Sequence, residues 1–169
     1  MSMEMDPLAD LQTPEDFEAL LAREELRRGR TGELISVGMV DLDGLRRINK
    51  DLGAGAGTDA LRLCAATLRS TLRAIDEVAR TGPDEFAVLM HATGARSASV
   101  WADRFEDELA AVSFEHAAGP LTCSIGIADS GEAPTLMEVA VRARRRMEVI
   151  QTVRKLRRAR EGGAETGPA

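Results

Sequence analysis

The sequence predicts an α+β domain in which helices cover a central mixed sheet, on the strength of three observations. Near-continuous apolar runs at 34–40 and 121–128 are typical of strands buried on both faces. Two shorter β-like runs, at 77–80 and 85–90, flank a turn at Gly82 and predict a β-hairpin. Segments with helical apolar spacing alternate with these strands, which predicts helices packed on a sheet.

Helices are predicted before, between and after the strands. The first begins at a Thr13 cap followed by Pro14 and acidic residues. Its predicted apolar face consists of Phe17, Leu20, Leu21 and Leu26. The glycine-rich stretch 53–57 is predicted to be a flexible break. The remaining helices are predicted at 45–52, from Thr58 or Asp59 to about 74, at 97–109 and from 135 to about 160.

The composition indicates one soluble domain. With 169 residues, 44% of them hydrophobic, the chain can bury a core but is short for two ordinary domains. It lacks an apolar run of the roughly 18 residues that span a bilayer and also lacks a signal-peptide pattern. We therefore expect a cytoplasmic protein with a single domain at 1–161 and a disordered tail at 162–169. Cys64 and Cys123 lie in apolar patterns without metal-site spacing, which predicts buried free thiols.

The charge is unevenly distributed along the chain. The formal net charge is −6, yet residues 142–161 carry eight Arg and one Lys against two Glu. This basic helix could meet anionic lipid, a phosphate-rich ligand, a protein partner or the acidic surface of its own domain, or it could form a solvated face. The absence of interleaved aromatic residues argues against nucleic acid.

Carboxylates at the predicted strand ends indicate a site for a metal and a phosphate. Asp41 closes a buried strand, and Asp84 and Glu85 lie on the hairpin, so the three groups converge if the strands are neighbours. Phosphoryl transfer uses metal ions held by paired carboxylates to neutralise a triphosphate and activate a hydroxyl. The alternative is that Asp43 and Asp84 are ordinary turn residues.

Five motifs occur in the order and spacing of one known family. They are Asp41-Leu42-Asp43-Gly44-Leu45-Arg46-Arg47-Ile48-Asn49, Gly53-Ala54-Gly55-Ala56-Gly57-Thr58, Arg73-Ala74-Ile75-Asp76, Gly82-Pro83-Asp84-Glu85-Phe86 and Ser124-Ile125-Gly126-Ile127-Ala128. Together they resemble the GGDEF domain, the family that makes the second messenger cyclic di-GMP. Residues 6–11 resemble its opening motif. The resemblance spans roughly residues 6–150 and implies a nucleotidyl-cyclase, palm-like fold.

By position, the resemblance implies a metal site that is also the catalytic site. Asp41, the Leu42 carbonyl and Asp84 would hold Mg²⁺ or Mn²⁺, with Glu85 as a further ligand. Asp84 and Glu85 would be the catalytic carboxylates. In family members two such sites face each other across a homodimer, and each 3′-hydroxyl attacks the other nucleotide's α-phosphate.

The resemblance also implies a GTP site, with departures from the family pattern. Arg46 replaces a phosphate-contacting Lys, and Asn49 would read the guanine edge. Thr58 replaces an Asp that pairs with guanine, and a hydroxyl can donate or accept, which would relax purine selection. Pro83 replaces the second glycine of the signature and should reshape the hairpin, because proline fixes φ and restricts its neighbour.

The family's late helix carries a phosphate-binding Lys that this chain lacks. One alignment places Glu148 at that position and another places Gln151 there. Neither supplies a cation, so Arg145, Arg146 and Arg154 are the candidates for compensation.

The segment from Arg73 to Asp76 matches the family's inhibitory site for cyclic di-GMP. There an Arg would pair with guanine N7/O6 and phosphate, and Asp76 would accept from the N1/N2 edge. The alternative is an ordinary ion pair at a helix end.

Three functions remain open from the sequence. The first is a divergent GGDEF domain in cyclic-dinucleotide signalling that binds nucleotide or cyclic di-GMP with weak or no turnover. The second is an active metal-dependent cyclase that converts two GTP, or GTP and ATP, into a cyclic dinucleotide and pyrophosphate. The third is a protein-interaction module that uses the basic C-terminal helix.

Overall fold

A four-stranded sheet organises the chain. The computed structural model describes residues 8–9, 11–116 and 119–164. In sheet order the strands are β2 (Glu77–Arg80), β3 (Glu85–His91), β1 (Ile35–Leu42) and β4 (Cys123–Asp129). All of β1 is buried, as its apolar run predicted. β1 is therefore the element that fixes the position of the carboxylate at its end.

The three strand pairings are all antiparallel, where the sequence predicted a mixed sheet. β1 and β2 run in the same direction, as a helical crossover requires, but β3 lies between them. In the same way β1 lies between β3 and β4. Each crossover therefore joins parallel strands that are not neighbours. In the described part of the chain, parallel hydrogen bonding between neighbouring segments is limited to an isolated bridge between Gln12 and Ala79.

Five helices cover the sheet in the described residues. They are α1 (Pro14–Thr31), α2 (Leu45–Leu52), α3 (Ala54–Thr71), α4 (Ala95–Ala111) and α5 (Leu136–Ala164). The last helix extends past residue 160 into the predicted disordered tail, since no proline interrupts it. The rest of that tail, 165–169, and part of the opening motif lie outside the described residues. No described helix has the length and hydropathy that a membrane crossing requires.

The first helix begins as predicted but presents a different face. Thr13 and Asp16 form a reciprocal capping box, with the Thr13 hydroxyl accepting from the Asp16 N–H at 3.2 Å. The prediction that Leu26 lies on the apolar face is wrong, because its side chain is 74% exposed. Glu24 takes the fourth inward position instead, seven residues after Phe17. The 3.6-residue period continues through Glu24 and turns Leu26 to the opposite side.

The glycine-rich stretch is a helix start and not a flexible break. Gly53, with a φ of 89°, makes the corner between α2 and α3, and α3 begins at the next residue. Thr58 and Asp59 lie inside the helix, so neither is its cap. The Thr58 hydroxyl donates to the Ala54 carbonyl at 3.0 Å. A left-handed glycine allows the sharp turn that joins the two helices directly.

Alternate residues of β1 enter two separate cores. Val40 and Leu42 pack with α3 and α4, and Met39 packs with α1 and α5. Cys64 and Cys123 are buried free thiols, as predicted, and burial raises the pKa of Cys64 to about 12.

The packing of α5 on β4 depends on Gly126. A Cβ at Gly126 would lie 2.0 Å from the Ala143 carbonyl oxygen and 2.3 Å from the Met147 nitrogen. The helix backbone thus lies directly against the strand, which holds α5 over the end of the sheet.

Candidate active site

The candidate site is built on two strands that end side by side. Asp41 of β1 and Glu85 of β3 are direct partners in the antiparallel register. Directly opposite residues have Cβ atoms about 4.5–5.5 Å apart, so the two carboxylates lie within reach of one ion. Asp84 precedes Glu85, and its carbonyl accepts from the Leu42 N–H at 2.9 Å. The structure therefore brings together the residues that the sequence predicted as metal ligands.

The pKa of Asp41 is raised by its burial and by the neighbouring carboxylates. Its side chain is buried at the strand end, and the residue is only 8% exposed. Burial raises the pKa of Asp41 from 3.8 to about 6, and repulsion from Asp84 is the second cause. Asp43 and Glu85 raise the pKa further, while a hydrogen bond from Gln151 lowers it. Carboxylates that repel each other in this way favour either a proton or a cation between them.

Two side chains of α5 contact the same carboxylates. Gln151 donates its amide Nε2 to Asp41 Oδ1 at 2.6 Å. Arg144 donates Nη2 to Glu85 Oε1 at 2.6 Å, and the Thr81 hydroxyl donates to that oxygen at 2.7 Å. Of the two residues considered for the family's Lys position, Gln151 reaches the cluster, whereas Glu148 is exposed. Arg144 was not among the compensating residues proposed from the sequence.

Asp43 is part of the scaffold of the site. Its carboxylate accepts from the hydroxyls of Ser124, at 2.8 Å, and Thr122, at 3.1 Å. Arg154 and Arg158 of α5 lie 3.2 and 3.5 Å from the same carboxylate. These bonds hold the end of β1 against β4 and α5.

The contacts made by α5 follow one stripe. The stripe consists of the buried Met147 and the contacting residues Arg144, Gln151, Arg154 and Arg158, spaced by three and four residues in turn. This spacing places them on one helix face. The sequence carries the signal, since the stripe continues the apolar face that ends at Met147. Part of the basic helix thus faces the acidic surface of its own domain, one of the alternatives open from the charge pattern.

The predicted nucleotide residues lie on the helices after β1. Arg46 and Asn49 are exposed on α2. The Asn49 side chain lies over Gly57, where a Cβ would come within 1.8 Å of Asn49 Oδ1. Thr58 is half-buried on α3, with its hydroxyl proton donated to the helix backbone. Asn49 and Thr58 therefore sit on either side of the α2–α3 corner.

The Arg73–Asp76 pair lies elsewhere, after α3. Arg73 Nε and Nη2 each lie 3.1 Å from an oxygen of Asp76, the geometry of a bidentate ion pair. Asp76 also accepts from the His91 N–H at 3.1 Å, and Arg73 contacts Thr93 Oγ1 at 2.7 Å. The Asp76 side chain is only 3% exposed, whereas that of Arg73 is half-exposed. The two side chains therefore pair with each other, which is the ordinary ion pair at a helix end that the sequence left open as the alternative to a ligand site.

The acidic cluster suits a hard divalent cation in its chemistry. Oxygen ligands from carboxylates are those that Mg²⁺ and Mn²⁺ prefer, and the raised pKa of Asp41 reflects negative charge that a cation would neutralise. In the described residues, however, no three His, Cys, Asp or Glu side chains already form a metal-site arrangement. The contacts from Gln151 and Arg144 occupy one oxygen each of Asp41 and Glu85. The residues therefore fit a metal in the chemistry of their donor atoms, and a bound ion would require some rearrangement of these side chains.

The chain has an antiparallel sheet covered by helices, with carboxylates at the ends of its two central strands. These features place it in a class of α+β domains for which structures have been solved. The GGDEF domain of TpbB from Pseudomonas aeruginosa matches with a TM-score of 0.80 at 30% identity, over 86% of this chain and 87% of that one. The diguanylate cyclase SiaD from the same species, in complex with its activator SiaC, matches with a TM-score of 0.78 at 25% identity. That match covers 88% of this chain and 58% of SiaD.

Sequence comparison gives the family directly. The profile described as "Diguanylate cyclase, GGDEF domain" matches residues 3–155. The diguanylate cyclase DgcP from Pseudomonas aeruginosa is 36% identical over 135 residues, which are 76% of this chain and 20% of DgcP. The chain belongs to the GGDEF family, as its motifs indicated. It spans about a fifth of the length of DgcP.

Proposed function

We propose that this chain is a divergent GGDEF domain in cyclic di-GMP signalling that binds a guanine nucleotide or cyclic di-GMP and turns over slowly or not at all. The observation that carries the proposal is the pair of contacts from α5 to the metal carboxylates. Gln151 bonds to Asp41, and Arg144 bonds to Glu85. A divalent cation that bridges these carboxylates to a triphosphate would compete with both donors for their charge, which opposes metal-dependent catalysis more than it opposes ligand binding without a metal.

One change in the nucleotide site, at Pro83, supports slow turnover, and another, at Thr58, preserves part of base binding. Pro83 replaces a flexible residue of the hairpin, and its carbonyl is held by Arg80 Nη2 at 2.7 Å. The fixed hairpin leaves less freedom for the backbone to approach a phosphate. Thr58 offers its lone pairs to a base while its proton is given to Ala54, so it retains one acceptor function of the family's Asp.

In this reading the metal, when bound, supplies charge neutralisation for the phosphates. Asp41, the Leu42 carbonyl, Asp84 and Glu85 would hold Mg²⁺ or Mn²⁺. Arg46 would contact phosphate, and the α2–α3 corner would hold the base. Arg73 and Asp76 would form a second site for cyclic di-GMP once a ligand guanine replaces part of their mutual pairing.

An active diguanylate cyclase is the second candidate, and the intact carboxylate cluster favours it. Asp41 lies directly opposite Glu85, Asp84 precedes Glu85 in the chain, and relatives such as DgcP are named diguanylate cyclases. A homodimer would then be required to bring two sites together. A role for the basic helix α5 in binding another protein has weaker support, because Arg144, Arg154 and Arg158 form ion pairs within the domain.

One experiment separates these functions. The purified protein is incubated with Mn²⁺ and equal GTP and ATP at high protein concentration, products are resolved by mass, and ligand binding is measured in parallel by calorimetry. We expect binding of GTP or cyclic di-GMP with little or no cyclic dinucleotide formed. Abundant product that disappears in Asp84→Ala would establish the cyclase instead. If neither ligand binds and no product forms, the nucleotide proposal is wrong.

A further inference from the structure

Arg144 lies at the centre of the candidate site without a counterpart in the motifs that identify the family. Its guanidinium holds Glu85 Oε1 at 2.6 Å, the oxygen that also accepts from the Thr81 hydroxyl. The Arg144 side chain is 47% exposed, so a solute can reach it without unfolding of the helix. It also lines a cavity of about 360 Å³ between α1 and α5, together with Thr81, Arg145 and the acidic residues Glu18 and Glu148.

A divalent cation and Arg144 compete for the same carboxylate. Glu85 is the direct partner of Asp41 across the strands, so a cation held by the two would compete with the Arg144 guanidinium for the charge of Glu85. Once released from Glu85, the half-exposed guanidinium would be free to contact a phosphate bound at the same site. Arg–phosphate pairs form parallel N–H···O bonds that suit this position.

We propose that Arg144 is a phosphate-binding residue of this site, held on Glu85 until a divalent cation takes that carboxylate. The inference rests on the proposed nucleotide site and adds to it the residue that replaces the missing Lys. Arg144 then opposes binding of the cation alone and favours binding of the cation with a polyphosphate. The two ligands are therefore coupled through one side chain.

The chain offers a matched control for this residue. Arg146, two positions further along α5, pairs with Glu132 at 3.0 Å and is 48% exposed, close to the value for Arg144. It contacts the Ile127 carbonyl and none of the metal carboxylates. Arg144→Gln and Arg146→Gln therefore remove similar ion pairs, only one of which lies at the site.

The test measures binding to the intact chain and not turnover. Mn²⁺ affinity is measured by electron paramagnetic resonance, alone and with either GMP or a non-hydrolysable GTP analogue. We expect Arg144→Gln to bind Mn²⁺ alone about two- to fivefold more tightly, because an exposed ion pair opposes binding only modestly. The same variant should lose about tenfold in its preference for the GTP analogue over GMP. Arg144→Lys should recover part of that preference, and Arg146→Gln should match the wild type.

Two results would overturn the inference and are distinguishable. If the wild type binds the GTP analogue with Mn²⁺ but Arg144→Gln keeps the wild-type preference over GMP, Arg144 only neutralises Glu85. If the wild type binds neither the analogue nor Mn²⁺, the proposed nucleotide site itself fails, and the role of Arg144 fails with it.

Discussion

At the scale of single residues, Asp41 combines two opposing demands. Its position at the end of a fully buried strand would hold a metal ligand precisely, but burial beside Asp84 disfavours its charge. The hydrogen bond from Gln151 offsets part of that cost and does not remove it. Such a residue stabilises the fold poorly, which is typical of groups that serve a ligand.

We predict that Asp41→Asn stabilises the protein at neutral pH. The pKa of Asp41 is about 6 in the native state, above the ordinary 3.8. Between pH 3.8 and pH 6 the native state therefore binds more protons than the unfolded state does. Stability from the protonated carboxyl is therefore present below about pH 4 and is lost as pH rises through 6. Asn keeps the acceptor for Gln151 without the charge, so the gain should reach about 1–3 kcal/mol above pH 7. Urea unfolding at pH 4 and pH 7.5 measures it.

The pH dependence is the informative part of that experiment. A stability difference that is equal at both pH values would mean that the variant acts through packing and not through the charge. Added Mn²⁺ supplies a second check. It should stabilise the wild type by mass action and leave Asp41→Asn nearly unchanged.

Residues whose role depends on local chemistry were predictable, and those whose partner lies far along the chain were not. Asp41, Asp84 and Glu85 could be chosen from strand ends and a turn alone. Arg144 could not, because its pairing with Glu85 joins positions 59 residues apart.

At the scale of elements, strong local signals gave correct helices and strands, and tertiary context overruled the weak ones. The β2–β3 hairpin and the capped start of α1 lie where turn and cap residues predicted them. The start of α3 does not, because a left-handed Gly53 permits a direct corner that a glycine-rich sequence hides. The sheet was predicted as mixed because the alternation of strands and helices along the sequence does not reveal which strands are neighbours. In the structure β3 lies between the parallel strands β1 and β2.

The corner between α2 and α3 allows a sharp prediction about base recognition. Gly57→Ala would force the exposed Asn49 side chain aside, since the new Cβ would lie 1.8 Å from Asn49 Oδ1. We expect guanine nucleotide affinity to fall about tenfold, the loss of one or two hydrogen bonds. Stability should change by less than about 1 kcal/mol, because alanine favours the helix and Asn49 can move.

Gly55→Ala is the matched control on the same helix. Apart from its chain neighbours and the adjacent backbone of α3, the described residues place no heavy atom within 4 Å of the position that its Cβ would occupy. The variant should be as stable as the wild type or more so, with unchanged nucleotide affinity in calorimetry. If Gly57→Ala also keeps its affinity, Asn49 does not read the base.

At the scale of the whole molecule, the charge imbalance of the sequence becomes an internal contact. Basic residues of α5 pair with the acidic residues at the ends of the central strands. Gly126 allows the helix to lie close enough to the sheet for these pairs to form. Family membership and the broad fold followed from ordered motifs. The sequence shows which residues of α5 share one face, but the carboxylates that this face contacts depend on the three-dimensional path of the helix.

The same view separates two candidate ligand sites along one strand. Glu85 begins β3, and His91, whose main chain is held by Arg73 and Asp76, ends it. Six residue steps of an extended strand place these ends about 20 Å apart. The cluster around Glu85 and the Arg73–Asp76 pair therefore share no side chain and should respond separately to mutation.

We predict a double dissociation between these sites. Arg73→Ala should weaken cyclic di-GMP binding at least tenfold and leave binding of Mn²⁺ with a GTP analogue intact, whereas Asp84→Ala should do the reverse. Arg73→Ala also removes the cation that pairs with the buried Asp76 carboxylate, which keeps only backbone hydrogen bonds, so it should lose about 1–3 kcal/mol of stability. Calorimetry must therefore be run well below the unfolding midpoint of each variant.

Arg28→Ala controls for that loss of stability. Arg28 also holds loop carbonyls, those of Ser130 and Pro134, and pairs with Glu25, but it lies at neither site. It should lower stability and leave both ligand affinities unchanged. If Arg73→Ala binds cyclic di-GMP as the wild type does, the pair with Asp76 is structural. The acidic cluster would then be the candidate ligand site that remains along β3.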